Sequence, residues 1–275
     1  KNPLLERIYR LFFFLDIAKV AKIVNKVKQF DEAISFLYPM TLPAMLAKKR
    51  MGQRLKYTYY DVGIAYPQLF DSFFERVYMK IFGVFTKMTV KNADAAISIS
   101  KFCSQELKKE TGLDSIVKYV KIDTERFNKN TAAKCKKEAA AVAKKYGLTK
   151  PVLLYVGRIY PHKGVQLLLD SFKLIRQKNP AATLVVVGKH TFPKYSRQLQ
   201  KIAADIGGVV FTGFVADKEL PAYYCSCDVY VTASMWEGFD IPIVEANAVG
   251  KPAVAFDVGS HPEVLKKGKL IEAGN

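Results

Sequence analysis

Hydrophobic and polar positions in the second half of the chain form a regular series of short apolar runs separated by amphipathic stretches. The apolar runs predict strands, and the stretches between them have the spacing of helices. We predict strands at 152–156, 183–187, 209–212, 229–232, 253–256 and 270–271, and helices at 164–177, 194–204, 219–225, 242–249 and 261–267. This alternation is typical of a parallel sheet, in which ligands bind outside the carboxyl ends of the strands.

The first half is less regular. Residues 4–29 predict one amphipathic helix, which either covers a sheet or lies on a lipid surface. Its apolar stripe consists of Leu4, Leu5, Ile8, Leu11, Phe12 and Leu15. Strands are predicted at 33–37, 55–60, 95–99 and 116–120, and helices at 42–50, 73–85, 100–111 and 132–146. The polar segment 128–131 predicts a linker, so we expect domains at 1–130 and 131–275.

Charge changes this picture more than overall composition does, because the chain has a net charge of +18. Residues 1–150 contain 29 Lys and Arg against 14 Asp and Glu, whereas residues 151–275 contain 14 against 11. The asymmetry indicates an anionic partner for the first half. A simple solvated face and an anionic membrane surface both stay open, whereas no zinc-finger or RNA-binding signature supports nucleic acid, which is not an expected partner.

The cysteines and the chain ends add two expectations. Cys103, Cys135, Cys225 and Cys227 lack the paired spacing of metal ligands, so we expect reduced thiols in a cytoplasmic protein. The chain begins with Lys1 and carries no signal-peptide pattern, and we expect it to be a fragment. No apolar run approaches the roughly 20 residues that span a bilayer.

A cation cluster, defined as Gly157, Arg158 and Lys163, directly follows the strand predicted at 152–156. Gly157 lets the backbone approach a ligand closely. Arg158 offers a planar fork to phosphate oxygens and Lys163 offers a point charge, while the helix that begins beside Lys163 adds positive potential from its first amides. Such groups are suited to stabilising the charge that grows on a departing nucleoside diphosphate without a metal.

Two glutamates eight residues apart, Glu237 and Glu245, follow another predicted strand. A carboxylate accepts two hydroxyl hydrogen bonds, which suits a vicinal diol of a sugar. Gly238 and Phe239 lie between them and are expected to present backbone N–H groups to phosphate. Each glutamate alone is typical of a surface or capping carboxylate. Together with the cation cluster they predict a site for a diphosphate linked to polyhydroxylated rings.

These segments resemble the retaining glycosyltransferases of family 4, which share the two-Rossmann-domain GT-B fold. The resemblance rests on Gly157-Arg158 with Lys163-Gly164, on residues 236–246, and on residues 250–263, which include Gly259. It is strong in the second half and weak in the first. The fold class implied is α/β with two Rossmann-like domains (GT-B), of which the N-terminal one is incomplete.

The resemblance also implies a role for each residue. As catalytic residues, Arg158 and Lys163 would hold the donor diphosphate and Glu237 would contact the transferred sugar. Glu245 would bind the ribose hydroxyls. The remaining donor-binding positions are backbone groups of Gly157, Gly238 and Phe239, with Phe214 and Val215 near the base. No cofactor and no metal is implied, because the donor is itself the substrate, a UDP- or GDP-sugar.

The implied activity is that of a retaining hexosyltransferase acting on a lipid-linked or polysaccharide acceptor. Mannose from a GDP donor and glucose or N-acetylglucosamine from a UDP donor both stay open. The basic, amphipathic first half predicts peripheral docking on the cytoplasmic face of a membrane.

A non-catalytic sugar-nucleotide-binding or scaffold protein also stays open. Its support is that Tyr60 stands where the family often has a histidine, and that nothing here matches the family's first glycine-rich loop. We also expect the chain to stop before the helices that usually close the second domain.

Overall fold

The computed structural model describes residues 3–70, 72–190 and 192–273, without the side chains of residues 3 and 4. The side chain of Leu4 in the apolar stripe therefore lies outside what is described, as do residues 1 and 275 at the outer ends of the two predicted domains. Contacts within the chain divide it into two compact units, Lys1–Val120 and Lys121–Asn275.

The first unit is built on four parallel strands in the order β1-β2-β3-β4 among the described residues. The strands are β1 (Glu32–Ser35), β2 (Lys56–Asp61), β3 (Ala95–Ser98) and β4 (Ile116–Val117). Its helices are α1 (Pro3–Leu11), α2 (Ile17–Val27), α3 (Thr41–Met51), α4 (Phe73–Val90) and α5 (Lys101–Thr111). The predicted helix 100–111 is confirmed, with Ser100 as its cap and Gly112 at its end.

The prediction of one helix over 4–29 is wrong, because α1 and α2 are separated by a 3-10 turn at Phe13–Leu15. Asp16 explains the break. Its side chain accepts a hydrogen bond of 3.1 Å from the backbone N–H of Lys19 and so caps a new helix.

The prediction of one helix over 132–146 is also wrong. It divides at Cys135 into α6 (Thr131–Lys134) and α7 (Lys136–Tyr146).

The predicted apolar stripe packs only in part. Leu11 is 8% exposed, whereas Ile8 is 46% exposed and Leu15 is 65% exposed. A second exposed apolar stripe follows α4, at Phe73, Phe74, Val77, Ile81, Val84 and Met88. Among the described residues, no helix has the length and apolar character that crossing a bilayer requires.

The second unit is built on six parallel strands in the order β10-β9-β8-β5-β6-β7. They are β5 (Val152–Val156), β6 (Thr183–Val187), β7 (Val209–Gly213), β8 (Val229–Val231), β9 (Ala253–Phe256) and β10 (Gly268–Ile271). The helices that follow α7 are α8 (Val165–Lys178), α9 (Pro193–Ile206), α10 (Leu220–Ser226), α11 (Ile241–Ala248) and α12 (His261–Val264). Numbered within the unit, the strand order is 3-2-1-4-5-6, which is the Rossmann order.

Apolar side chains cover both faces of this sheet. Along β5, Val152 and Leu154 belong to one core cluster, and Leu153 and Tyr155 belong to the other. β5 pairs with both β6 and β8, and the order of strands reverses there. A crevice between the carboxyl ends of β5 and β8 is therefore where a ligand site is expected.

Candidate functional site

The loop after β5 carries the cation cluster and is fixed by a close backbone contact. After Gly157 and Arg158 the chain forms a 3-10 turn at Pro161–Lys163, and Gly164 caps α8. Gly164 has a φ of +66°, and a Cβ there would lie 1.8 Å from the carbonyl oxygen of Ala233. Only glycine fits this contact, which holds Lys163 beside the segment that follows β8.

The loop after β8 carries Glu237, which is buried. The backbone N–H of Ser260 donates a 3.0 Å hydrogen bond to the Glu237 carbonyl. Gly259 has a φ of +58°, and a Cβ at this position would lie 2.5 Å from the same carbonyl oxygen. The loop after β9 therefore packs directly against the backbone of Glu237 and fixes its place.

Lys163 and Glu237 meet between these loops, where the Lys163 Nζ donates to Glu237 Oε1 at 2.5 Å. Their side chains are 18% and 10% exposed. Burial raises the pKa of Glu237 and the neighbouring Asp240 raises it further, while the Lys163 ammonium opposes both effects. The pair is thus a largely buried salt bridge, in which the Lys163 ammonium stabilises the ionised form of Glu237.

A cleft of about 160 Å³ opens at this point. The predicted residues that line it are Gly157, Arg158, Lys163, Glu237 and Phe239. The structure thus brings the cation cluster and one carboxylate into one cavity at the switch point of the sheet. Such an arrangement can hold an anion beside a hydroxyl-bearing group.

Glu245 and Gly238 are not among the residues that line this cleft. Gly238 is buried and Glu245, in α11, is half-buried. The Tyr224 hydroxyl donates a 2.7 Å hydrogen bond to Glu245 Oε2. Burial raises the pKa of Glu245, while the Tyr224 hydrogen bond and Arg126 oppose that effect.

The two positions predicted near a base differ sharply from each other. Phe214 follows β7 and is 75% exposed, whereas Val215 is 8% exposed and its side chain packs in the core. Phe214 is therefore available to a ligand through its ring, while Val215 can offer only its backbone. Neither side chain lines the cleft.

No role was predicted for Asp240 and His261, which form a buried pair at the cleft. Asp240 lines the cleft and caps α11, with Oδ1 accepting from the Ile243 N–H at 3.3 Å. Its Oδ2 lies 3.1 Å from Nε2 of His261. Aspartate before Ile-Pro at a helix start is a capping signal that identifies Asp240, but no local pattern reveals its histidine partner.

Glu237, Asp240 and His261 also place ligand atoms within 4.8 Å of one another, as a metal site would. Lys163 already bonds to Glu237, and Asp240 already bonds to His261. A cation would have to displace the ammonium and break the histidine contact. The contacts therefore favour a network of salt bridges over a metal site.

Tyr60, the residue that stands where a histidine was expected, lies in β2 of the first unit. Its ring centroid is 5.1 Å from that of Phe36. Tyr60 is half-buried and packs as an aromatic pair.

A family model described as "Glycosyl transferases group 1" matches residues 137–275. The chain is 29% identical over 191 residues to the GDP-mannose-dependent alpha-(1-6)-phosphatidylinositol monomannoside mannosyltransferase of Mycolicibacterium smegmatis, covering 65% of this chain and 48% of that protein. The protein of the same name from Mycobacterium tuberculosis is 34% identical over 159 residues, covering 54% of this chain and 39% of its own length. The chain thus spans about half the length, or less, of these relatives.

Among solved structures, Anabaena Alr3699/HepE in complex with UDP and glucose has a TM-score of 0.76 at 22% identity. The match covers 93% of this chain and 68% of that one. At this identity the likeness concerns the fold. It confirms the predicted α/β fold with Rossmann-like units of the GT-B class.

Proposed function

Because the chain belongs to the family of group 1 glycosyl transferases, we propose that it transfers a hexose from a nucleotide-diphosphate sugar to an acceptor hydroxyl with retention of configuration. The observation that carries this proposal is the meeting of Arg158, Lys163 and Glu237 in one cleft at the switch point of a Rossmann-ordered sheet. In this arrangement the cations face the diphosphate, and the carboxylate faces the sugar.

Arg158 and Lys163 provide most of the proposed stabilisation of the transition state. As the bond between the anomeric carbon and the diphosphate oxygen breaks, negative charge grows on the phosphate oxygens, and Arg158 and Lys163 stabilise it. The ammonium of Lys163 has three hydrogens, so it can bond to Glu237 and to a phosphate oxygen together. The acceptor oxygen then bonds to the anomeric carbon on the face from which the diphosphate leaves, and the acceptor hydroxyl proton passes to the departing diphosphate oxygen.

The carboxylates position the donor. Glu237 accepts hydrogen bonds from hydroxyls of the transferred sugar, and Glu245 accepts them from the ribose. Gly238 and Phe239 offer backbone N–H groups, and Phe214 offers a ring to the base. The mannosyltransferase relatives are named as GDP-mannose-dependent, which favours GDP-mannose as the donor, with a UDP-sugar as the alternative. The proposed acceptor is lipid-linked or a glycan.

The first unit is proposed to dock on an anionic membrane surface. Its support is the exposed apolar stripe on α4, together with the excess of Lys and Arg over Asp and Glu in residues 1–120. We expect sedimentation with phosphatidylserine vesicles at low salt, weakened by Ile81→Asp. Leu174→Asp, at an exposed leucine of α8 in the second unit, is the matched control. Equal binding by wild type and Ile81→Asp, or no binding, contradicts the docking.

The donor site is tested by calorimetric titration with UDP and with GDP. Lys163→Ala and Glu245→Ala test the site. Lys178→Ala, at an exposed lysine that ends α8, is the control. Binding of one nucleotide that is lost only in the first two variants supports the proposal and identifies the base. Binding in protein that never turns over a donor sugar supports the non-catalytic alternative. A folded chain that binds neither nucleotide contradicts both.

A further inference from the structure

Asp240 and His261 are almost fully inaccessible, at 4% and 0% exposure, yet both are polar. His261 Nδ1 lies 2.7 Å from the carbonyl oxygen of Phe256, and its Nε2 lies 3.1 Å from Asp240 Oδ2. A pair buried this deeply is costly unless its hydrogen bonds are complete. The positions of the protons therefore decide what the pair does.

The proton positions follow from the two acceptors. The Phe256 carbonyl cannot donate, so Nδ1 of His261 carries a hydrogen. Nε2 faces a carboxylate, which also accepts, so a second proton lies between the two groups. Burial works against a charge on His261, but the hydrogen bond and charge of Asp240 outweigh it and raise the pKa of His261. With an acceptor facing each ring nitrogen, the geometry assigns the pair as an imidazolium next to a carboxylate.

The charged groups around the pair are few among the described residues. Glu237 acts on His261 from the loop after β8, and Lys163 is bonded to Glu237. The phenols of Tyr155 and Tyr230 lie near the same carboxylates, and burial raises the pKa of both phenols well above the usual range, so they stay neutral. Arg158 also lines the cleft. The cation that is bonded to Asp240, however, is the imidazolium of His261, so losing it leaves that carboxylate without its ion-pair partner.

The same histidine joins the backbone elements of the site. It bonds to the end of β9 through Phe256 and to the first turn of α11 through Asp240. α11 carries Glu245, and Ser260, directly before His261, holds the Glu237 carbonyl. His261 itself does not line the cleft, so any effect on a ligand passes through Asp240.

We propose that His261 is a positioning residue of the donor site, whose imidazolium offsets the charge of Asp240 so that the cleft receives a diphosphate without uncompensated negative charge. This inference rests on the proposed function, since it concerns the same donor.

The test compares a charged with an uncharged ligand in four proteins: wild type, His261→Gln, Asp240→Asn and the double variant. UDP and GDP are titrated near pH 7, with uridine and guanosine as the matched ligands that lack the diphosphate. His261→Gln leaves Asp240 uncompensated, so diphosphate affinity falls about tenfold or more while nucleoside affinity is kept. Adding Asp240→Asn removes that charge, keeps a capping side chain and restores diphosphate affinity.

Two calorimetric results overturn the inference. One is an equal loss of UDP and uridine affinity in His261→Gln, and the other is a double variant that binds UDP no better than His261→Gln. Either result would mean that the histidine only holds the fold.

If His261→Gln does not fold, nitrogen-15 NMR of wild type and Asp240→Asn decides the question. The chain has three histidines, and the one whose ring shifts respond to Asp240→Asn is His261. Both ring nitrogens protonated near pH 7 support the inference. A neutral ring in protein that binds UDP or GDP overturns the inference and leaves the proposed function intact. If the His261 ring is an imidazolium but the folded protein binds neither UDP nor GDP, the proposed function is overturned. The role proposed for His261 in the donor site then falls with it.

Discussion

Lys163 and Glu237 are 74 positions apart in the sequence and are joined by a 2.5 Å hydrogen bond between Nζ and Oε1. The sequence assigned the first to phosphate and the second to sugar as separate tasks. The structure shows that each group is also the partner of the other. A donor that binds between them therefore meets a cation and a carboxylate whose positions are already set by their mutual contact.

Removing Lys163 alone is expected to destabilise the protein. Lys163→Ala leaves Glu237 buried without its cation, which lowers the free energy of unfolding by about 3 kcal/mol. The double variant Lys163→Ala/Glu237→Gln removes both charges and should recover much of this loss. Urea unfolding of the three proteins near pH 7 measures the difference. A double variant less stable than Lys163→Ala would show that the pair is held by packing rather than by charge.

The hydrogen bond from Tyr224 to Glu245 predicts a specific effect on nucleotide affinity. Tyr224→Phe removes one neutral-to-charged hydrogen bond, so Glu245 loses its orientation and affinity for UDP or GDP falls about fivefold to tenfold. Tyr223→Phe is the matched control, because the Tyr223 hydroxyl bonds to Tyr146 and not to Glu245. Equal UDP or GDP affinities of Tyr224→Phe and Tyr223→Phe in calorimetry would show that Tyr224 does not contribute to the donor site.

Gly259 allows a sharp comparison between backbone strain and steric contact. Gly259 and Gly250 both have positive φ, at +58° and +83°, but only a Cβ at Gly259 meets another group, the Glu237 backbone. Gly250→Ala therefore costs only the left-handed conformation, about 1–2 kcal/mol. Gly259→Ala should cost more and should also lower the turnover rate, because the backbone that carries Glu237 must shift. Denaturant unfolding and a donor-turnover assay measure the two effects, and equal stability losses would contradict the reading of the contact.

The strands of the second unit could be predicted from the sequence because their pattern is set by burial on both faces. The bounds predicted for β5, β6 and β9 agree with the structure. Once the strand ends are known, a parallel sheet brings the residues after β5 and β8 to one edge. The meeting of the cation cluster with Glu237 follows from this rule, and so it was predictable as well.

The remaining features depend on choices that a local pattern does not contain. Asp16 ended one helix and began another by capping, which outweighed the apolar periodicity of the segment. His261 and Asp240 are 21 positions apart, and nothing near either residue indicates the other. The exposed position of Phe214 and the buried position of Val215 also follow from packing around β7 and not from the sequence of that strand.

His162 predicts how stability changes in acid. Burial and the nearby Lys163 and Arg158 charges lower the pKa of His162 to about 4 from 6.5. The folded state therefore favours the neutral ring, so stability present above pH 6.5 is lost as the pH falls toward about 4. Over that window the free energy of unfolding of wild type should fall by up to about 3 kcal/mol more than that of His162→Asn. Parallel unfolding curves at pH 6.5 and 4.5 test this, and an unchanged difference between the two proteins would contradict it.

Phe214 gives a prediction about the base, because it is 75% exposed at the end of β7 and its ring has no place in the core. If it stacks on the base of the donor, Phe214→Ala removes a contact worth about 1–3 kcal/mol, which is about fivefold to 150-fold in UDP or GDP affinity. Affinity for inorganic diphosphate should not change, since that ligand has no base. Stability should also stay within about 0.5 kcal/mol of wild type, as is usual for an exposed position. Leu174→Ala, at another exposed apolar residue, serves as the control for nonspecific surface effects. An equal loss of nucleotide and diphosphate affinity would place Phe214 away from the base, and unchanged affinity for both would remove it from the site.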